Sequence, residues 1–510
     1  MLQNVFQETP VTFLFCLILK TECTFYVKGC VILMIYLNKK DNIPLYEQLY
    51  SKLKQQIVSG ILPKNAALSS LRVVEKELQV SRNTVDRAYQ QLLAEGYIRS
   101  VPGAGYFVED IENDYFCLNS SLISENNRDK VEEKKKAKYD FEYASIDSDL
   151  FPWSKWKKYV QNAMLAESSS TSISYDSNKG NELLRKSLCG FLNRHRGVNC
   201  KPEQIIICAG TQYAMNIVTS LLPAEVNRLA YEEPGYDAMR YLFEEKGYCI
   251  TSIPVLEDGV DLDLLSKTNC NILYITPSHQ FPTGVVTSIS NRNKMLKWAC
   301  QNDAYIIEND YDSEFRYGIM PIPSLQSLDR CQKVIYVGTL SKVLSPSIRC
   351  AYVILPEKLI DRYDIKYRYF NSSLPSYHQL ALAQFIEDGM LEKHLRRVSL
   401  INEKKYIVLV NAIKEFLSDE IEIFTPPAGV HTLVRFKNCK NQKKMIREMA
   451  QASIAIYGIK MYWHDQKRAE EGIFLMGFNS MVEEDIRKGC KKMAEVLKGI
   501  AREDKVIQKK

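Results

Sequence analysis

No Cys-x-x-Cys pair and no Cys/His cluster at metal-ligand spacing occurs among the 14 cysteines of this 510-residue sequence. That absence excludes a zinc ribbon or a thioredoxin-like redox centre, so the thiols read as reduced, mostly buried side chains of a cytoplasmic chain. The even spacing of Cys16, Cys23 and Cys30 carries no metal or redox assignment, and no metal site is expected. Long apolar runs are missing too. No stretch approaches the ~20 residues that span a bilayer, and no Lys or Arg precedes Lys20, where a secretory signal needs positive charge. A net charge of +6 is too small at this length to announce a nucleic-acid or membrane-surface protein, so any basic face is local. What is present, 46% hydrophobic and 25% charged residues, fits a globular chain of two or more domains.

The first segment, with "VTFLFCLILK" and "CVILMIYLN", is unlike anything downstream. Met34 is expected to be the natural start, with residues 1–37 a doubtful extension. From Asn42 the pattern turns regular: "IPLYEQLYSKLKQQIVSG" sets Leu45, Leu49, Leu53 and Ile57 on one helical face and stops at Gly60. "SSLRVVEKELQV" predicts a short second helix. "SRNTVDRAYQQLLAEG" predicts a third, capped by Ser81, with Val85, Tyr89, Leu92 and Leu93 inward and Arg82, Asn83, Asp86, Arg87 and Gln90 outward. "YIRSVPGAGYFV" then reads as two strands around a tight turn. Residues 39–108 hold ten Lys/Arg against six Asp/Glu, a modest local basic excess.

These motifs resemble the winged helix-turn-helix of GntR-type transcription regulators. The resemblance implies double-stranded DNA as partner. It puts Arg72, Ser81, Arg82, Asn83 and Thr84 at the DNA-contacting end and Gly103 and Gly105 on the wing tip. Ser69 stands where the family usually has Pro, which predicts a looser start for the second helix.

Residues 110–138 are polar and aperiodic and are expected to form a linker between a DNA-binding domain at 38–109 and a larger domain at 139–500, with 501–510 a basic tail. In the larger domain, "EQIIIC", "RLAYEEP", "NILYITPS", "AYIIEND", "KVIYVGTLSK" and "CAYVIL" alternate with helical stretches. That order predicts an α/β sheet of mostly parallel strands with ligands at the strand C-terminal ends. "GTQ" before a helix offers backbone N–H groups to a phosphate, and "GTLSKVLSPSIR" offers hydroxyls at Thr339 and Ser341, an amine at Lys342 and a guanidinium at Arg349.

Together, "TPSHQFPTGVV", "IIENDYDSEFRY" and "VIYVGTLSKVLSPSIR" resemble a fold-type-I pyridoxal-phosphate transferase, a large mixed-sheet domain with a smaller α+β domain. With the winged helix they resemble the MocR subgroup. The resemblance implies pyridoxal 5'-phosphate as cofactor, with Lys342 as its Schiff-base lysine. Gly210, Thr211, Gln212, Thr339 and Arg349 match the phosphate cradle, Tyr236 the ring-stacking aromatic, and Tyr311 the tyrosine near the phenolic oxygen. Tyr175 matches a residue that reaches a neighbouring subunit's phosphate, which implies a homodimer.

Two departures bear on function. Asn309 stands where an aminotransferase has the aspartate that keeps the ring nitrogen protonated, and an asparagine brings no charge. Asp310 lies one residue on, and adjacent strand residues point to opposite faces. No arginine falls near Leu475, where the family grips a substrate carboxylate, with Arg435 and Lys460 the nearest substitutes. The expected function is a transcription regulator that responds to pyridoxal phosphate or to an amine or amino-acid effector, with vitamin B6 or amino-acid metabolism genes as targets. The alternative is a working aminotransferase with a secondary DNA-binding domain.

Overall fold

The computed structural model describes residues 24–27, 30–33, 35, 37–39, 41, 43–110, 137–143, 145–168, 175–317, 322–425 and 428–507. The expected start at Met34, residues 111–136 of the expected linker and residues 508–510 of the expected tail lie outside the described residues. The chain divides into two compact units, Met1–Lys134 and Lys135–Lys510. No helix among the described residues is long and apolar enough to cross a membrane.

In the N-terminal unit, helices α1 (Leu45–Val58), α2 (Leu71–Leu78) and α3 (Arg82–Ala94) precede an antiparallel hairpin of β1 (Ile98–Val101) and β2 (Gly105–Val108). The apolar stripe read from the sequence is the core: Leu49, Leu53 and Ile57 of α1 meet Val85, Ala88, Tyr89 and Leu92 of α3. Tyr89 is fully buried and donates its hydroxyl to the Ser69 carbonyl at 2.9 Å, tying α3 to the residue before the N-cap of α2. Ser70 starts α2 without a side-chain cap, whereas Ser81 Oγ accepts the Thr84 N–H at 3.2 Å and caps α3. Lys54 and Glu95, 2.8 Å apart, clip α1 to the end of α3, and Tyr50 donates to the same carboxylate.

In the C-terminal unit the six strand runs expected from sequence all enter one eight-stranded sheet. Its strands are β3 (Ile205–Cys208), β4 (Arg228–Glu233), β5 (Cys249–Leu256), β6 (Gly259–Val260), β7 (Ile272–Ile275), β8 (Tyr305–Asp310), β9 (Val334–Thr339) and β10 (Ala351–Ile354). The spatial order is β3-β10-β9-β8-β7-β4-β5-β6. Pairs β9-β8, β8-β7, β7-β4 and β4-β5 are parallel, while β10 runs antiparallel to both its neighbours. The central strands are buried on both faces, which is why they read as continuous apolar runs. A smaller antiparallel sheet, β11 (Ile421–Ile423), β12 (His431–Phe436), β14 (Ile473–Gly477) and β13 (Tyr457–Gly458) in spatial order, shares a core with two long helices, Met390–Phe416 and Glu483–Ile507.

One buried ion pair fixes the end of β8. Helix α4 (Glu182–Arg196), capped by the Asn181 side chain, ends at Gly197 with φ +65°. Its last residue, Arg196, places Nε 2.8 Å from Asp310 Oδ2, with both side chains almost wholly buried. Tyr336 of β9 donates to the same oxygen at 2.6 Å, and Arg196 Nη2 reaches Ser278 Oγ at 2.7 Å beyond β7. Removing one partner of such a pair strands a charge in the interior. Asp310→Ala is expected to destabilise this unit by about 3–5 kcal/mol. The measurement is urea unfolding followed by the four tryptophans, all of which lie in this unit. Arg196→Met added to Asp310→Ala should restore much of the loss, and an unchanged midpoint in the single variant would contradict the role.

Candidate functional site

A cavity of about 310 Å³ opens where the C-terminal ends of β7, β8 and β9 meet the N-terminus of α5 (Thr211–Leu221). Of the residues singled out from sequence, Thr211, Gln212, Tyr236, Asn309, Tyr311, Thr339, Lys342 and Arg349 all line it. Gly210 is the residue before α5 and adopts φ +101°. A Cβ there would lie 2.3 Å from Arg349 Nη2, so only glycine lets the guanidinium close over the helix start. Arg349 itself takes a left-handed conformation, φ +49°, and sets Nη2 3.4 Å from the Ala209 carbonyl.

The first-turn amides of α5 have no intrahelical acceptor, and the helix dipole adds partial positive charge there. With Arg349 they form an anion cradle. Thr339 Oγ1 accepts the Ser341 N–H at 3.1 Å, which shapes the turn leading to Lys342. Ser341 Oγ is buried without a partner among the described residues, a donor aimed at no protein group. These donors fit a phosphate.

Lys342 is half-buried, its Nζ drawn inward to lie 4.6 Å over the ring of Tyr143. Burial pushes its pKa below the usual lysine range, against the opposing pull of Asp312 and Glu142. The cavity floor is Asn309. Its Nδ2 donates to Tyr274 Oη at 2.8 Å, while its Oδ1 is buried and unpartnered among the described residues. Tyr274 is held by stacking on Tyr231 at 4.9 Å, and Tyr231 donates at 2.6 Å to the Tyr236 carbonyl. One chain of aromatic contacts thus sets both the amide of Asn309 and the backbone of Tyr236. An amide floor, a buried amine and flanking aromatic rings fit a pyridine ring with an aldehyde.

Asp310 is turned to Arg196 and Tyr336, so it cannot replace an aspartate at 309. Neither Arg435 nor Lys460 lines the cavity. Arg435 pairs with Glu422 and Glu470 at 3.5 and 3.1 Å, Lys460 with Glu471 at 2.6 Å, and Leu475 is fully buried in β14. Tyr175 is not brought to the cavity of its own chain: it is 84% exposed, beside Asp176 and Ser372–Ser376. The sequence reading missed Tyr143, Met239, Thr276, Phe281 and Pro346 in the lining. "TPSHQFPTG" carried a signal for Thr276 and Phe281, but nothing local marks Tyr143, a long way upstream.

On the N-terminal unit, Arg72, Arg82 and Asn83 are exposed, and Thr84 Oγ1 lies 2.9 Å from Ser81 Oγ. Arg87 is not a free cation, since its guanidinium lies 4.5 Å over the Tyr46 ring and braces α3 on α1. Gly103 and Gly105 hold φ of +78° and +105° at the hairpin tip, and a Cβ at either would meet open space. Backbone conformation therefore dictates glycine there.

Residues 143–464 match the aminotransferase class I and II family, and residues 45–108 the gntR family of bacterial regulatory proteins. An uncharacterized HTH-type transcriptional regulator of Bacillus subtilis, YhdI, is 37% identical over 459 residues, 90% of this chain and 97% of that one. The probable rhizopine catabolism regulatory protein MocR of Rhizobium meliloti is 31% identical over 414 residues, 79% of this chain and 84% of its own. A multiple substrate aminotransferase from Thermococcus profundus superimposes with a TM-score of 0.65 at 22% identity, over 77% of this chain and 100% of that one, a likeness of fold. With a gntR-type helix-turn-helix joined to an aminotransferase class I and II domain, the chain belongs to the MocR subgroup of GntR-type transcription regulators.

Proposed function

We propose that this chain is a cytoplasmic, dimeric transcription regulator that binds pyridoxal 5'-phosphate in the cavity at Lys342 and changes its DNA affinity with cofactor or amine occupancy. The observation that carries this reading is the convergence of the Gly210–Arg349 anion cradle and the buried Lys342 amine in one cavity. Arg349, Thr211, Gln212 and Ser341 would hold the phosphate. Tyr236 and Tyr311 would border the ring and Asn309 would face its nitrogen. When bound, pyridoxal phosphate supplies an aldehyde that condenses with amines and a ring that withdraws electrons from the carbon beside them. Lys342 meets an aldehyde only in its neutral form, which its lowered pKa makes more abundant near neutrality.

Asn309 favours sensing over turnover. It contributes a hydrogen bond and no charge, so a protonated ring nitrogen lacks about 1–3 pKa units of support. Tyr175, Ile365, Tyr369 and Phe370 are exposed at 84%, 80%, 89% and 55%, large apolar side chains that a second copy of the chain would cover. In DNA binding, Arg82, Asn83 and Thr84 at the start of α3 would enter the major groove with Arg72 at the backbone, and Gly103 and Gly105 would let the wing approach the minor groove. Coupling between the domains requires that the ligand bind one arrangement better than the other.

Three outcomes follow. Purified protein loaded with pyridoxal phosphate should show a visible absorbance band that Lys342→Ala abolishes, and gel shifts on its own upstream DNA should respond to the cofactor in wild type only. A cofactor response that persists in Lys342→Ala would contradict the reading. Arg72→Ala should weaken DNA binding and lower the salt slope by about one phosphate contact, about 0.9 in log–log slope, without changing the absorbance band. Asn309→Asp should speed conversion of the bound cofactor to its amine form when amino donors are added, followed by stopped-flow absorbance. Rapid multiple turnover in the wild type would instead make the chain an aminotransferase.

A further inference from the structure

Two residues that do not line the cavity converge on one that does. His279, in the loop after β7, and Asp312, just beyond β8, are both buried. Asp312 Oδ2 and Oδ1 lie 2.8 and 3.1 Å from His279 Nδ1, and Tyr311 Oη lies 3.3 Å from the same nitrogen. A carboxylate can only accept, so the proton on Nδ1 sits between His279 and Asp312. That nitrogen then has no lone pair to offer, and the Tyr311 hydroxyl cannot donate to it. Its oxygen instead takes the long arm of the shared N–H, and its own proton is left for the cavity.

The surroundings hold this arrangement. Gly429, at φ +70°, closes against the pair, and a Cβ there would lie 2.2 Å from His279 Cε1 and 2.8 Å from Asp312 Oδ2. The His431 ring packs 5.3 Å from that of His279, and burial pushes its pKa well down, so this neighbour adds no positive charge beside the pair. Burial and the Asp312 charge raise the Tyr311 pKa well above that of an ordinary phenol, which keeps it a donor at any working pH. The other charged or titratable groups that act on the three residues are Lys342, Arg316, Glu314 and Tyr317 at Asp312, and Tyr143, Glu232 and Tyr274 at Tyr311.

We propose that His279 and Asp312 are positioning residues for Tyr311: the pair fixes the phenol as a one-way donor into the cavity, toward the phenolic oxygen of the cofactor. The proposal rests on the cofactor reading above. A donor at that oxygen favours its deprotonated form and holds the pH midpoint of the bound chromophore down.

The test is an absorbance titration of the full-length chain loaded with pyridoxal phosphate. Tyr311→Phe should raise the midpoint by about one unit, tenfold in the proton equilibrium. His279→Gln and Asp312→Asn should raise it part of the way, and His279→Gln should add nothing in the Tyr311→Phe background. A wild-type midpoint in His279→Gln, or the same shift in both backgrounds, overturns the proposal. If the His279 and Asp312 variants fail to fold, 15N-histidine labelling of the wild type and Tyr311→Phe decides. A downfield Nδ1 proton that moves in Tyr311→Phe is expected, and its absence or indifference to Tyr311→Phe overturns the assignment. A wild type that takes up no cofactor refutes the functional reading instead and leaves the NMR arm to judge the pair.

Discussion

The face to which Asn309 and Tyr311 turn depends on the contact between Arg196 and Asp310. Successive residues on β8 face opposite ways, so holding Asp310 against the last residue of α4 commits Asn309 and Tyr311 to the other face. The guanidinium spans several elements: it ends α4, meets β8, reaches Ser278 beyond β7 and shares its carboxylate partner with Tyr336 of β9. A one-residue slip of the strand would break all of these together. Register here is set by buried electrostatics as much as by apolar burial.

The cavity repeats this logic with smaller groups. Tyr231 stacks on Tyr274, Tyr274 accepts from Asn309, and Tyr231 also anchors the backbone of Tyr236. Gly210 and Arg349 are coupled by a clearance that admits no methyl group. Asn309 and Tyr236, which line the cavity, are each fixed by a tyrosine that does not. Such pre-organisation lets a site discriminate between occupants.

What could be read from the sequence divides along the range of the interactions. Helices of the winged unit and strands of the large sheet were legible because periodicity and strand-end chemistry are local. Leu49, Leu53 and Ile57 repeat along one helix, and "GTQ" or "GTLSK" follows directly on an apolar run. Arg196 gave no such signal. It lies 114 residues before its partner, at the end of an ordinary amphipathic helix, and only the fold reveals its charge as buried. Tyr143 was hidden for the same reason, and helical spacing set Arg87 outward, where it is exposed, without revealing the Tyr46 ring beneath its guanidinium. His279 and Asp312 stood inside quoted motifs, yet their meeting at one nitrogen is a tertiary fact.

Behind β8 lies a store of charge that bears on why residue 309 is neutral. Glu308 is pushed up to about 7 and Glu314 to about 8, each by burial first and by the charge of Asp310 second. Arg196, Arg292 and Arg316 answer these acids from the same region. A carboxylate at 309 would point to the other face of β8, away from Arg196, Arg292 and Arg316, and put a buried negative charge into the cavity floor. In an aminotransferase-like site its partner is the protonated ring nitrogen, which the ligand brings. Stability of such a floor is tied to cofactor occupancy. With Asn309 the cofactor-free cavity carries one uncompensated acceptor rather than an unpaired charge. On the reading proposed above, a regulator that responds to cofactor occupancy has to stay folded without the cofactor, and a neutral floor meets that requirement at the expense of the electron sink.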